Sequence, residues 1–266
     1  MNNIALGIFF TLVLISVESR ADGVNCSATN IAHLTAQAQN GDKFAQGRLG
    51  SQYYSGECVQ ADYAKALKWF RKSAQQGEAV SQYFLALMLM RGDGTAKDES
   101  EAAIWFRKSA DQGIDLAQAW LGICYEFGTG VPQDYSEAIK WYRKADLSQG
   151  MTPDFPPVVD IARINLGVMY FSGNGVPKDE IEGVRWFRKA AEHGFPDGQR
   201  RVGLAYLMGT GVPQDNVQAH MWLNLAASSG DSVAANARDE VAAQMTPSAI
   251  EQAQSLARDW EARHSR

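Results

Sequence analysis

The first residues in this sequence whose types and spacing could support a chemical function, phosphate binding, lie in glycine-rich loops. The stretch FGTGVPQD, from Phe127 to Asp134, contains a G-x-G element, and further copies begin at Gly92, Gly173 and Gly209. Such loops bind phosphates when they lie between a strand and a helix, or when Lys-Ser/Thr follows. Neither context accompanies any copy, so the sequence favours a structural corner over a nucleotide site.

Other catalytic and metal-binding patterns are absent from the sequence. It contains no C-x-x-C, H-E-x-x-H, G-x-S-x-G or S-x-x-K element, and its four histidines are scattered. His33 and His193 occupy positions that hold tryptophan and glutamine in equivalent segments, which favours structural variation over a ligand role. We therefore predict no catalytic residue, no metal site and no cofactor.

Composition and the N-terminal segment indicate an exported globular chain. The 266 residues are 45% hydrophobic and 21% charged, and the net charge of −5 argues against a nucleic-acid partner. Ile4 to Val17 form an uncharged apolar run, and Ser19 and Ala21 follow it. This pattern predicts a signal peptide cleaved near Ala21, a periplasmic or secreted mature chain and no stable membrane insertion after cleavage. An uncleaved membrane anchor is the alternative.

Tryptophans and glycines recur along the chain with a shared period. The tryptophans are separated by 36, 36, 45 and 36 residues, and they are Trp69, Trp105, Trp141, Trp186 and Trp222. The same series separates Gly56, Gly92, Gly128, Gly173 and Gly209. A period in the thirties with two helical patterns per unit predicts a solenoid.

Each repeat is predicted to contain a helix A, a glycine corner and a helix B. In the third repeat, helix A covers Ala117 to Phe127 and helix B covers Tyr135 to Ala145. The predicted N-cap residues of the five B helices are Asp62, Asp98, Asp134, Asp179 and Asp215. Three residues later, four predicted capping boxes are completed by Glu101, Glu137, Glu182 and Gln218.

These motifs together resemble a known repeat family. The recurring A-x-x-x-L-G-x-x-Y, G-x-G-V-P-x-D and A-x-x-W-[FY]-R-K-x-A elements are similar to Sel-1-like repeats, relatives of the tetratricopeptide repeat. The resemblance covers Asp42 to Gly230, with Cys58 replacing the second corner glycine of the first repeat. It implies an all-α fold, an αα-superhelix (solenoid) of about five helix-turn-helix repeats with terminal capping helices.

The repeat pattern also predicts domain boundaries. A signal peptide (1–21) and an N-terminal capping helix (22–41) precede the repeats, and C-terminal capping helices (231–266) follow them. The predicted repeats are 42–77, 78–113, 114–150, 159–194 and 195–230, with an inserted loop at 151–158. Prolines in this loop oppose a helix, which leaves Phe155 as an apolar tip that could dock into a partner.

Two of the three cysteines are predicted to form a disulfide. Cys26 lies at the start of the N-terminal capping helix and Cys58 lies in the next corner, so both belong to one edge of the solenoid. An exported chain would meet an oxidising compartment, where such a pair forms a bridge. Cys124 lies inside a helix A, where we expect a small buried residue.

Helix A is expected to carry the binding surface. In tetratricopeptide-like repeats this helix lines the concave face, and its positions beside the repeated leucine vary from copy to copy. The predicted partner-binding residues are Tyr83, Phe84, Leu87, Trp120, Ile123, Ile164, Val168, Arg200 and Arg201, with Phe155 from the loop. For Leu87, Ile123 and Val168 the alternative is packing between successive A helices.

The resemblance implies an interaction scaffold that binds another protein. Exported members of the family include envelope-signalling regulators, assembly factors for surface polysaccharides, and immunity proteins. A small acidic chain suits an inhibitor or immunity protein against an antibacterial effector. The alternative is an adaptor or regulator of envelope signalling or polysaccharide assembly, whose partner would be an envelope sensor or an assembly factor. Penicillin-binding or weak β-lactamase activity ranks third. The cysteine-rich relatives described in this way carry a disulfide in nearly every repeat, whereas this sequence has three cysteines and can form at most one.

Overall fold

Paired helices account for most of the chain. The computed structural model describes residues 26–147 and 158–264, and thirteen α-helices and no strand occur in these two ranges. The all-α solenoid predicted from the sequence is thereby confirmed. Contacts divide the chain into two compact units, Met1–Val158 and Val159–Arg266.

The first unit contains three helix pairs behind an N-terminal helix. Its helices are α1 (Ala28–Gln39), α2 (Lys43–Ser55), α3 (Tyr63–Gln75), α4 (Ala79–Arg91), α5 (Glu99–Asp111), α6 (Asp115–Phe127) and α7 (Tyr135–Leu147). Each helix packs against the next one along the chain. Helices α2, α4 and α6 are the A helices of repeats 1 to 3, and α3, α5 and α7 are the B helices.

The second unit contains two helix pairs followed by two C-terminal helices. Its helices are α8 (Val158–Ser172), α9 (Glu180–Glu192), α10 (Pro196–Met208), α11 (Asn216–Ser228), α12 (Ser232–Ala242) and α13 (Pro247–His264). Helices α8 and α10 are the A helices of repeats 4 and 5. Both α12 and α13 pack on α11, the last helix B.

Small residues let the two helices of a pair approach closely. In repeat 3, a Cβ atom added at Gly122 would lie 2.5 Å from the ring of Tyr142, which is fully buried. In repeat 4, Gly167 faces Phe187 in the same way. A larger side chain at either glycine would push the two helices apart, because protein cores are close-packed.

The glycine corners of repeats 2, 3 and 5 end one helix and touch the preceding repeat. Gly128 closes α6 with a left-handed φ of 69°, as the sequence predicted. The second glycine serves a different purpose, since a Cβ at Gly130 would lie 2.0 Å from the carbonyl oxygen of Glu99. Gly94 and Gly211 make the same backbone contact with the start of the preceding helix B.

The aspartate N-caps are confirmed, but the predicted capping boxes are wrong. Asp134 accepts a hydrogen bond from the backbone N–H of Glu137 at 3.0 Å, and the other four aspartates cap their helices likewise. A capping box also needs the Glu or Gln side chain to accept from the backbone N–H of the aspartate. The carbonyl of the preceding helix A takes that N–H instead, as Asp134 to Tyr125 at 2.9 Å shows. Glu101, Glu137 and Glu182 pair with basic side chains, and Gln218 completes no box, because the N–H of Asp215 donates to Tyr206.

The tryptophans of the B helices are covered in two ways. In repeats 1 to 4 a lysine three residues later lies over the indole, at 4.0 Å from the ring centre for Lys108 over Trp105. In repeat 5 the equivalent position is Leu225, which is buried, and Trp222 packs against Trp260 of α13. The C-terminal helix thus takes the place of the lysine cover.

The predicted disulfide is present. Cys26 and Cys58 are bridged, with their Cα atoms 5.0 Å apart. Cys124 is buried in α6, and burial raises the pKa of its thiol to about 12. Its side chain therefore stays protonated and unreactive at ordinary pH.

Candidate protein-binding face

Four positions of each helix A fall on one side of the helix. They are spaced i, i+4, i+7 and i+11, which places their side chains in one narrow stripe. We call this stripe the A face. In the first unit it consists of Phe44, Arg48, Ser51, Ser55, Val80, Phe84, Leu87, Arg91, Leu116, Trp120, Ile123 and Phe127.

The A face of the first unit has exposed apolar ends and a recessed middle. Phe44, Val80 and Phe127 are 63%, 46% and 48% exposed, respectively. Leu87 and Trp120, in the middle of their helices, are buried. Exposed apolar side chains around a recessed aromatic floor are typical of a surface that another protein covers.

Two of the predicted partner-binding residues, Phe84 and Trp120, form the floor of this face. Phe84 is half-buried and stacks on Phe70 of the preceding helix B, with ring centres 5.1 Å apart. Trp120 stacks on Phe106 in the same way, at 5.8 Å. Each aromatic ring is thus held by the repeat before it, which leaves Phe84 partly available and Trp120 largely covered.

Two further predicted contact residues lie inside the core. Tyr83 and Ile164 stand two residues before the repeated leucine, and both are buried. This position faces the next helix A, since a Cβ at the equivalent Gly47 would lie 2.6 Å from Ser81 Oγ. Burial also raises the pKa of Tyr83. Their partner contact remains only a prediction, and in this structure they support the face.

The predicted residues at the third position are divided between packing and surface. Leu87 is buried, which fits the alternative of packing between helices, and Val168 packs against the core of the second unit. Ile123 is half-buried and keeps part of its side chain at the surface. Of these three, Ile123 is the best remaining candidate for contact.

The two predicted arginines are engaged within the second unit. Arg200 pairs with Asp197 and, at 3.2 Å, with Asp231. Arg201 also pairs with Asp197, at 2.9 Å, and lies 5.2 Å from the ring centre of Phe187. Burial lowers the pKa of Arg201. These charges are therefore largely compensated within the chain.

Phe155, the predicted contact residue in the inserted loop, lies outside the described residues. The exposed ends of the A face were not predicted from the sequence. Phe44 and Val80 stand four residues before Arg48 and Phe84, and Phe127 stands four residues after Ile123. Extending the face by one helical turn in each direction would have found them. The prediction stopped at positions next to the repeated leucine.

His193 belongs to a charged cluster that replaces a glutamine pair. In repeats 1 and 2 a buried glutamine of helix A accepts from a glutamine after helix B, as in Gln76 to Gln46 at 2.8 Å. In repeat 4 the two positions are Arg163 and His193, whose nitrogens lie 2.5 Å apart, and Asp160 pairs with Arg163 at 2.7 Å. His193 thus follows the repeat pattern.

The described ranges contain neither a metal-binding cluster nor a membrane-spanning helix. No three or more His, Cys, Asp or Glu side chains of residues 26–147 and 158–264 are grouped so that they could hold a metal ion. Within the same ranges, none of the helices combines the length and apolar character needed to cross a membrane.

Recurring helix pairs, glycine corners and buried aromatic rows define an all-α solenoid of helix-pair repeats. The Sel1 repeat matches the chain at residues 43–78, 79–114, 115–145, 161–195 and 196–231. The chain belongs to this family, and Sel1 repeats are protein-interaction scaffolds.

Solved structures share this fold. A Sel1 repeat protein from Oxalobacter formigenes is 27% identical, with a TM-score of 0.72 over 86% of this chain and 90% of that one. The protective antigen c5321 of uropathogenic Escherichia coli, which has the same repeat fold, is 29% identical. Its TM-score is 0.57, over 89% of this chain and 56% of that one. No curated protein matches the sequence significantly.

Proposed function

We propose that this protein is an exported interaction scaffold whose A face in repeats 1 to 3 binds a partner protein. The observation that carries the proposal is the exposure of Phe44, Val80 and Phe127 along one face of successive A helices. Burying these side chains against a partner removes apolar surface from water, at about 25 cal/mol per Å². Phe84 and Ile123 extend the same surface inward.

Basic side chains border the apolar end of this face in the first repeat. Lys43 lies 5.1 Å from the ring centre of Phe44, and Arg48, one turn later, is exposed. The nearby acids Asp42 and Glu78 accept hydrogen bonds from backbone N–H groups at helix starts. A partner protein with carboxylates beside apolar residues would complement this border.

Export is supported by the disulfide and by the N-terminal sequence. The bridge between Cys26 and Cys58 requires an oxidising compartment to persist. The predicted signal peptide, residues 1–21, lies outside the described residues. We place the mature protein in the periplasm or outside the cell.

Within this class, the leading role is an inhibitor or immunity protein that neutralises an antibacterial effector. Its support is the acidic character of the 266-residue sequence, whose net charge is −5. The alternative is an adaptor or regulator of envelope signalling or polysaccharide assembly. If a neighbouring gene encodes an antibacterial effector, co-producing the chain with that effector separates the two roles. Rescue of growth supports immunity, and unchanged toxicity contradicts it.

The binding face is tested by quantitative affinity capture from the native envelope. The variant Phe44→Ser/Val80→Ser/Phe127→Ser removes the exposed apolar ends, and partner recovery should fall at least about tenfold. Ile104→Ser is the matched control, because Ile104 is 55% exposed but lies on helix B. Equal recovery by the triple variant and the wild type would contradict the proposal.

Nitrocefin turnover by the purified protein would contradict a purely non-enzymatic role.

A further inference from the structure

The first corner of the solenoid departs from the later ones at two equivalent positions. Cys58 stands 36 residues before Gly94, so it occupies the position of the second corner glycine. Cys26 stands 36 residues before Asp62, although the residue that caps α1 in the structure is the next one, Ser27. Cys58 therefore replaces the glycine that contacts the preceding repeat in the corners of repeats 2, 3 and 5.

The later corners hold the preceding repeat through backbone contact. A Cβ at Gly94 would lie 2.6 Å from the carbonyl oxygen of Tyr63, the first residue of α3. Gly130 approaches Glu99, the first residue of α5, in the same way. In the first corner the bridge from Cys58 to Cys26 joins the corner to the residue just before the Ser27 N-cap of α1. The bridge thus connects the segments that backbone packing connects elsewhere.

Helix α1 has few other attachments to the first repeat. Leu34 and Ala38 are its buried residues, and they pack against Ala45 and Leu49 of α2. The side chain of Gln46 donates to the carbonyl of Ala38 at 3.0 Å. Most remaining residues of α1 are exposed. The covalent bridge is therefore a large part of what holds this helix in place.

The bridge is accessible, whereas the remaining thiol is not. Cys26 is exposed and Cys58 is half-buried, so a small dithiol can reach the sulfur atoms. Cys124 is 1% exposed within α6. A reducing agent acting on the folded protein would thus change one bond at one end of the first unit.

We propose that the Cys26–Cys58 disulfide is a redox-releasable anchor that holds α1 as a cap on the first repeat. A thiolate of an external dithiol attacks one cysteine sulfur, forms a mixed disulfide with it and releases the other cysteine as a thiolate. The second thiol of the reagent then closes a disulfide within the reagent and releases the cysteine that was held in the mixed disulfide. Two electrons and two protons pass to the protein, leaving two cysteine thiols and the oxidised reagent. Helix α1 then separates from α2 and uncovers Ala45 and Leu49, beside Tyr53 and Trp69.

Hydrogen exchange of the purified protein, with and without dithiothreitol, tests this inference. Thiol titration should show two new thiols, and amides of Ala28–Gln39 should exchange at least about tenfold faster, whereas α3 to α5 keep their protection. Unchanged exchange in α1 after both thiols appear would overturn the proposal. Loss of protection throughout α3 to α5 would also overturn it, because the anchor would then hold the whole unit.

Two double variants test whether α1 is held by the disulfide itself or can also be held by the residues found in the later corners. Cys26→Ser/Cys58→Ser should show the fast α1 exchange of the reduced protein in any redox condition. Cys26→Asp/Cys58→Gly restores the residues of the later corners, and it should protect α1 at least about fivefold better than the serine variant, with or without reductant. Wild-type protection in the serine variant would refute the anchor. If α1 exchanges equally fast in both variants, the disulfide does not serve the same purpose as the backbone contact made by the second corner glycine in the later corners.

Discussion

The A faces of the two units are built on the same scaffold but use their side chains differently. At one position, the first unit has Phe84 and Trp120, which stack on rings of the preceding helix B. The second unit has Arg201 there, which lies over Phe187 and pairs with Asp197. The first unit keeps apolar ends free, and the second satisfies its charges internally.

The difference teaches that variation between repeats does not by itself mark a binding surface. In the second unit, the varying residues Arg200 and Arg201 join an internal ion-pair network with Asp197 and Asp231. In the first unit, variation leaves Phe44, Val80 and Phe127 exposed. Among the described residues, the A face of the second unit has one large exposed apolar side chain, Met208, whereas that of the first unit has three. This grouping of exposed apolar residues, more than variability, selects repeats 1 to 3 as the candidate binding region.

The largest expected stability difference between the two faces is at the ring-stacking position. Trp120→Ala empties a buried site beside Phe106 and should lower the free energy of unfolding by about 3–5 kcal/mol. Arg201→Ala should cost about 1 kcal/mol, because its ion pair and ring contact remain partly solvated. Urea denaturation measures both. Arg48→Ala, at the same position but exposed, is the control and should change stability by less than about 0.5 kcal/mol.

The corners should behave alike in the two units, which confines the difference to the A face. Gly130→Ala and Gly211→Ala place a Cβ 2.0 Å and 2.3 Å from carbonyl oxygens of the preceding repeat. Each should cost about 2–3 kcal/mol in urea denaturation, through this overlap and the left-handed backbone. Gly113→Ala meets no atom within 4 Å and should cost only about 1 kcal/mol. Unequal effects at Gly130 and Gly211 would show that the scaffolds themselves differ.

The helix caps should also contribute equally in both units. Asp134→Ala and Asp179→Ala each remove a side-chain acceptor from a helix start and should cost about 1 kcal/mol of unfolding free energy. Glu137→Ala and Glu182→Ala should cost less than about 0.5 kcal/mol, because these side chains form only exposed ion pairs. If Glu137→Ala or Glu182→Ala cost about as much as the aspartate substitutions, the glutamates would act in capping boxes, contrary to the structure.

The smallest expected difference is a pH dependence between neutral and mildly acidic pH that arises from His220 in the second unit. Burial, and then the charge of Arg238, lower the pKa of His220 below its ordinary value of 6.5. The unfolded chain therefore binds more protons, so stability should fall as the pH drops below about 6.5 toward the folded-state pKa. His220→Leu introduces the residue found at the equivalent Leu67, and it should flatten this part of a stability–pH curve.

Local features were predictable from the sequence, and features that depend on distant partners were not. The aspartate caps follow from residues within one helical turn, and all five are present. The capping boxes failed because the N–H of Asp134 is taken by Tyr125, nine residues earlier on another helix. The helix period sets the stripe that contains Phe44, but its exposure depends on how helices pack.

One long-range feature did leave a signal in the sequence. The Arg-Lys pair of the first four B helices becomes Asn224-Leu225 in the fifth. The structure explains the change, because Trp222 packs against Trp260 of α13 where the other tryptophans have a lysine. A missing lysine after the repeat tryptophan could thus have predicted where the C-terminal helix docks.

Site-specific photo-crosslinking tests the central claim most directly. A photoreactive phenylalanine analogue is introduced singly at Val80 on the A face of repeat 2, at Ile104 on helix B, and at Met208 on the A face of repeat 5, all of which are exposed. We predict a partner adduct in native cells from Val80 and none from Ile104 or Met208. The same adduct from Ile104 or Met208, with none from Val80, would contradict a binding face on repeats 1 to 3.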